Sequence, residues 1–223
     1  MAMRTGRDEA TRGIVRVGDG RGFAVEGAYE RFIVTAAQCL PFLPPCGSIS
    51  HVHERTYQSL IGQLGGECTI WGECLFVDPI GDIAVLGSPD SQEFNAQSDD
   101  YEAYEAMVGD TTPLTISEAP SKGHAWVLSL NGRWFECHVK RFAEGSLWIS
   151  GANEGIAKGM SGSPILLEDG SAIGIICSGN VSRRICGQDV MVTEGGPNPG
   201  LTRNLPGWLL HEIAKSATKR SQA

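Results

Sequence analysis

Short apolar and β-branched runs recur along the chain, each closed within a few residues by glycine, proline, asparagine or aspartate, and this punctuation leaves little room for long helices. "GIVRVGDGRGFAVEG" and "RFIVTAA" open the series, parted by the turn-prone "GAYE", and read as a hairpin entering a core. Strand signals return at "GECTIWGECLFVD" and "DIAVLG", then at "TPLTIS", "HAWVLSLNG", "RWFECHVKRF" and "SLWISG". Asn131-Gly132 marks a hairpin turn, since both residues tolerate the positive φ such turns require, and Asp169-Gly170 marks another. With 29 Gly and 11 Pro, the chain is expected to be all-β. One helix is predicted, at the end: Pro206 starts "PGWLLHEIAKSA", and Trp208, Leu209, Ile213 and Ala217 can share a face.

Two stretches resist the strand pattern. From Leu40 to Gln63 the chain is punctuated by Pro41, Pro44, Pro45 and Gly47, which predicts a long surface connection with one strand near "SISHVH". From Ser88 to Thr112 there are seven acidic residues, no Lys or Arg and little periodicity, the pattern of a solvated linker between two halves. The expected organisation is an N-terminal β-barrel over 1–88, an acidic linker over 89–111, and a second β-barrel with the terminal helix over 112–223.

The formal charge of −8 argues against a nucleic-acid partner, which would need clustered Lys and Arg. Basic residues gather only at the tips, Arg4, Arg7, Arg12 and Arg16 at one end and Lys215, Lys219 and Arg220 at the other, and read as solvated tails. No apolar stretch is long enough to cross a bilayer and no leader pattern is visible, so the expectation is a cytoplasmic protein with no membrane partner. Seven cysteines, an odd number, fit reduced thiols better than a disulfide framework. Cys39, Cys46, His51 and His53, with Cys68 and Cys74 beyond, lack the tight C-x-x-C spacing of a zinc knuckle; the cysteines read as small buried hydrophobes, and neither a metal nor a cofactor is expected.

The strongest chemical signal is "GMSGSPIL", Gly159 to Leu166. A serine flanked by glycines can sit on a sharp turn where its hydroxyl is exposed and backbone N–H groups converge, which suits attack on a carbonyl. Two further segments precede it. "TAAQC" follows a buried-strand pattern, and "DIAVL" starts at Asp82, 44 residues after Gln38 and 79 before Ser161.

In that order and spacing the segments resemble those of the trypsin-like (chymotrypsin-fold) serine proteases, bacterial HtrA-type relatives included, and "GRGFAVEG" resembles the family's strand before the histidine. The resemblance runs from about Gly13 to the terminal helix. It implies two six-stranded-type β-barrels with a C-terminal α-helix and a polypeptide substrate or partner protein in the cleft between them. Residue by residue, it makes Ser161 the nucleophile, Asp82 the carboxylate that orients the base, and Gly159 and Ser161 the oxyanion-hole donors. It also lays an extended peptide along "GIICSG", with Gly155, Cys177, Ser178 and Gly179 on the substrate side.

Gln38 occupies the histidine's place. A serine hydroxyl needs a proton acceptor to become nucleophilic, and a carboxamide has no usable basicity near neutrality. Gln38 is expected to keep hydrogen bonds to Asp82 and Ser161 while leaving the site inert. His51, His53 and Lys158 are the alternative bases, and nothing in the sequence points them inward. Met160 stands where animal digestive members carry an aspartate, so activation by a freed N-terminus is not implied. Gly155 replaces the aspartate that selects Arg or Lys in trypsin, so that preference is not implied either. Three readings follow: an inactive polypeptide-binding homologue, an active serine endopeptidase in which position 38 has been substituted, and a scaffold that uses the barrels only as a frame.

Overall fold

The first predicted run divides in two, because Gly18, at φ +53°, lets the chain turn back tightly: β1 (Ile14–Val17) folds onto β2 (Gly20–Glu26) with Val17 opposite Gly20. β3 (Arg31–Thr35), β4 (Thr56–Gln63), β5 (Ile70–Asp78) and β6 (Ile83–Gly87) follow. In this computed structural model, which describes residues 3–45, 54–89, 98–143, 145–177, 180–185 and 188–222, the six strands close a barrel in the order β1-β2-β3-β6-β5-β4. β1 pairs with β4 to shut the ring, Val15 opposite Gln63. Phe23, Ile33, Ile61, Ile83 and Leu86 fill it. All five positions of β6 are buried, because elements packed outside the barrel cover its second face as well. The strand predicted near "SISHVH" lies outside the described residues.

The acidic segment contains regular structure that its pattern did not predict. α2 (Ser98–Gly109) forms there and lies against β3 and β5. Tyr104 and Val108, one turn apart, are buried, and the Tyr104 hydroxyl donates to the carbonyls of Arg31 and Leu86 at 3.1 and 3.3 Å. The Arg31 guanidinium reaches the other end of the helix, 2.7 Å from the Val108 carbonyl and 2.9 Å from that of Gly109, a cation at the negative pole. Asp99 and Asp100 occupy the first turn, at the positive pole. Burial holds the Tyr104 hydroxyl well above its usual pKa. Tyr104→Ala is expected to destabilise the fold by about 3–5 kcal/mol, against about 1 kcal/mol for Tyr104→Phe, which removes only the hydroxyl; urea denaturation measures both.

The second half supplies β7 (Lys122–Leu128), β8 (Trp134–Arg141), β9 (Leu147–Ser150), β10 (Pro164–Leu166), β11 (Ala172–Ile175), β12 (Asn180–Ile185) and β13 (Gln188–Asn198). They form one sheet in the order β11-β10-β7-β8-β9-β13-β12. The segment just after β13 returns to β11 through an isolated Gly174–Gly200 bridge, and the Ile175 N–H donates to the Pro199 carbonyl at 3.3 Å. The sheet thereby curls into a second, barrel-like unit of six strands, with β12 at its edge. The predicted turn at Asn131-Gly132 lies inside the β7–β8 hairpin, with Gly132 at φ +77°. The fold is therefore the two-barrel all-β architecture that the resemblance implies.

Helices close the ends. α3 (Leu201–Asn204) precedes α4 (Gly207–Gln222), the predicted terminal helix. Its buried side matches the expected one at Leu209, which is buried, and at Ile213, which packs against the core, and adds the buried Ser216; Ala217 is exposed, and Trp208, 43% exposed, sits edge-on to Phe32. The basic N-terminus is not a free tail but forms α1 (Met3–Thr11). Ala10 is buried, the Arg7 guanidinium lies 3.6 Å from the Trp126 ring centroid, and Trp134 Nε1 donates to Thr11 Oγ1 at 3.0 Å. Among the described residues no helix is long and apolar enough to cross a membrane.

Candidate active site

Gln38 lies in a single 3-10 turn, Ala37–Cys39, directly after β3. β3 pairs with β6, Thr35 opposite Ala84, and this register carries Asp82 to the side of that turn. Asp82 has φ +54°, a left-handed conformation that aspartate adopts at a modest cost. Its carboxylate takes two hydrogen bonds from one residue: the Gln38 N–H reaches Oδ1 at 2.8 Å, and Gln38 Nε2 reaches Oδ2 at 2.6 Å. Nε2 also donates to the Cys177 carbonyl at 2.7 Å, so both hydrogens of the carboxamide are engaged. Cys177, which follows the end of β11, donates its thiol to the Asp82 carbonyl at 3.0 Å, and its N–H donates to Asn198 Oδ1 at 2.8 Å. Burial, with the Asp82 charge next in effect, raises the Cys177 thiol far above its ordinary range, and burial raises Cys39 too, so neither supplies a thiolate near neutrality.

Ser161 lies on the loop between Gly159 and Ser163. Three amides of that loop are paired: Met160 donates to the Ala157 carbonyl at 3.1 Å, Gly162 to Ile176 at 2.7 Å, and Ser163 to Met160 at 2.9 Å. Among the described residues the N–H groups of Gly159 and Ser161 have no acceptor. The Ser161 hydroxyl likewise makes no hydrogen bond there, so the expected contact to Gln38 is not formed while the one to Asp82 is. The reason is visible at Gln38: its donors are turned to Asp82 and Cys177. Ser161 is tied to the Gln38 turn instead through its carbonyl, which accepts from Cys39 Sγ at 3.6 Å and from the Arg21 N–H at 2.8 Å.

Gly162 explains the second glycine of the motif. It has φ +81°, and a Cβ there would fall 1.8 Å from the Arg21 carbonyl oxygen. The loop can thus touch the first barrel only because that residue has no side chain. Arg21, missed by the sequence reading, secures the same joint. Its buried guanidinium donates to the carbonyls of Leu128 and Ser129 in the second half, at 2.6 and 2.9 Å. The available signal was an arginine set between the two glycines that open the "GRGFAVE" strand, ahead of its apolar run Phe23–Val25.

A cleft of about 730 Å³ opens beside this joint, with Asp19 and Arg21 from the first barrel facing Leu130, Asn131, Lys158 and Gly159 from the second. A smaller recess of about 280 Å³ reaches Asp82, Cys177, Asn198 and Asn204 from another side. Gly155 is exposed, and Met160 is buried with its thioether accepting the Ala157 N–H at 3.3 Å. Ser178, Gly179, Cys46, His51 and His53 lie outside the described residues. The His124 and His138 rings meet across β7 and β8 at a 49° tilt, with centroids 4.5 Å apart, and His211 is on α4.

Two antiparallel barrels, joined so that the "TAAQC", "DIAVL" and "GMSGS" segments meet at their junction, define the chymotrypsin-like fold. Solved structures bear this out. The protease Rv3671c from M. tuberculosis H37Rv, in an inactive form, is similar over 94% of this chain and 91% of its own, at 12% identity and a TM-score of 0.51. A structure concerned with the coupled folding and binding of the intrinsically disordered Sesbania mosaic virus VPg protein is similar over 82% of this chain and 84% of its own, at 13% identity and a TM-score of 0.50. No protein-family profile and no curated protein sequence matches the chain.

Proposed function

We propose that this chain binds an extended polypeptide in the cleft between its barrels and that, with Gln38 in place, it is inactive or severely impaired as a serine endopeptidase. In this reading Ser161 stands at the nucleophile position and Asp82 at that of the orienting acid. Gln38 takes the place of the base, Gly159 and Ser161 carry the oxyanion donors, and Gly155, Cys177, Ser178 and Gly179 face the substrate. The division at 1–88, 89–111 and 112–223 belongs to the same proposal. The observation that carries it is the engagement of both Gln38 amide hydrogens on Asp82 and Cys177, which leaves a carboxamide without basicity where a proton acceptor is required. Free thiols at Cys39, Cys68, Cys74, Cys137 and Cys177 support a reducing, cytoplasmic setting.

The test is covalent labelling by a fluorophosphonate. The unaltered chain is expected to label no faster than Ser161→Ala, as read by intact mass; prompt modification that depends on Ser161 overturns the reading. The intact Asp82–Cys177 arrangement and the Gly159 and Ser161 amides, unpaired among the described residues, favour, as a second reading, an endopeptidase that lacks only its histidine.

A further inference from the structure

We infer that the ligand group received by Gly159 and Ser161 is the free C-terminal carboxylate of a polypeptide, so that the chain recognises polypeptide ends; this rests on the polypeptide-binding reading above. The two N–H groups lie on one half-buried loop with no acceptor among the described residues, while the amides at 160, 162 and 163 are all paired. In an acylating site such donors meet an oxyanion created when the serine attacks a carbonyl. Here the proton of Ser161 has no acceptor of adequate basicity, so that anion does not arise. The negative charge must come with the ligand, and a carboxylate brings it together with two oxygens able to accept charge-assisted hydrogen bonds. The Ser161 hydroxyl, unbonded among the described residues, is a third donor of the kind such a group takes.

The surroundings agree in charge. Both oxygens of Asp82 are occupied by Gln38. The adjoining cleft is lined by three cations, Arg16, Arg21 and Lys158, against one carboxylate, Asp19. The main chain after β11 runs alongside the loop, where the Ile176 carbonyl accepts the Gly162 N–H at 2.7 Å and Cys177 accepts from Gln38. In this inference the ligand extends along that segment and ends at the loop, so that its terminal carboxylate meets the Gly159 and Ser161 amides.

Randomised octapeptides, synthesised as free acids and as C-terminal amides, would be panned on the full-length protein, and the best binders remade in both forms for titration by fluorescence anisotropy. The inference expects the acid form to bind at least about tenfold more tightly than its amide, the size of a lost charged hydrogen bond. Gly159→Ala, where a Cβ meets nothing nearer than 3.5 Å but φ is +93°, should weaken the acid at least several-fold and narrow its advantage over the amide, because the charged ligand loses more when the loop shifts. Acids and amides that bind alike, within about twofold, overturn the inference and leave the polypeptide reading standing. If neither library yields a ligand, that reading falls as well.

Discussion

Gln38→His is expected to raise fluorophosphonate labelling of Ser161 by on the order of 10³-fold or more. Removing the histidine of such a triad lowers kcat by on the order of 10⁶, so even partial recovery of the geometry is easily seen. The frame for an imidazole is in place. Asp82 already holds two donors from residue 38, at 2.8 and 2.6 Å, and an imidazole Nδ1–H can replace the second of them while the backbone N–H keeps the first. The lone pair of Nε2 is then free for the Ser161 hydroxyl, which has no competing partner among the described residues. The pH dependence checks the mechanism. Only the neutral imidazole accepts a proton, so labelling should rise with pH through an apparent pKa of about 6.5–7, a step that the unaltered chain lacks. Adding Asp82→Asn to this variant should lower the rate again, by on the order of 10³ to 10⁴. A silent Gln38→His protein, folded by circular dichroism, would sink the reading of an endopeptidase that lacks only its histidine.

What the sequence revealed of this site, and what it hid, follows from the range of the interactions involved. "TAAQC" and "DIAVL" could be read because each is a buried strand beside a turn, and the pairing of β3 with β6 converts that local pattern into the Gln38–Asp82 contact. The β-strands were legible for the same reason, since turn residues mark their ends. α2 was not: its acidic residues mask the pattern, and only Tyr104 and Val108 at i and i+4 betray a buried side. α1 depends on Trp126 and Trp134, more than a hundred residues along the chain, which no local window includes. The orientation of the Gln38 amide was equally beyond reach. The donors and acceptor of a carboxamide led to the expectation of a bond to Ser161, but the Cys177 carbonyl, 139 residues away in sequence, offers an acceptor that fixes the amide facing away from that role. Arg21 belongs to the same class, a charge whose partners are carbonyls of the other barrel.

Gly162→Ala should be the most damaging single methyl that this site can receive, with a loss of more than about 4 kcal/mol of stability, beyond the range of ordinary substitutions. The new Cβ would overlap the Arg21 carbonyl oxygen at 1.8 Å and press on Thr35 Oγ1 at 2.8 Å. Neither atom can retreat. Thr35 Oγ1 donates to that same Arg21 carbonyl at 2.6 Å, the Arg21 N–H is bonded to the Ser161 carbonyl at 2.8 Å, and its guanidinium is anchored on Leu128 and Ser129. The methyl therefore forces the barrels apart and breaks a set of buried hydrogen bonds that bridge them. Gly159→Ala is the control, three residues away and also at positive φ, but with Leu130 Cδ2 at 3.5 Å and the Asp19 carbonyl oxygen at 3.7 Å as its nearest neighbours. It should cost about 1–2 kcal/mol, from backbone strain alone. Urea denaturation of both variants separates the two causes: equal losses would mean that conformational strain, not contact between the barrels, dictates glycine at 162.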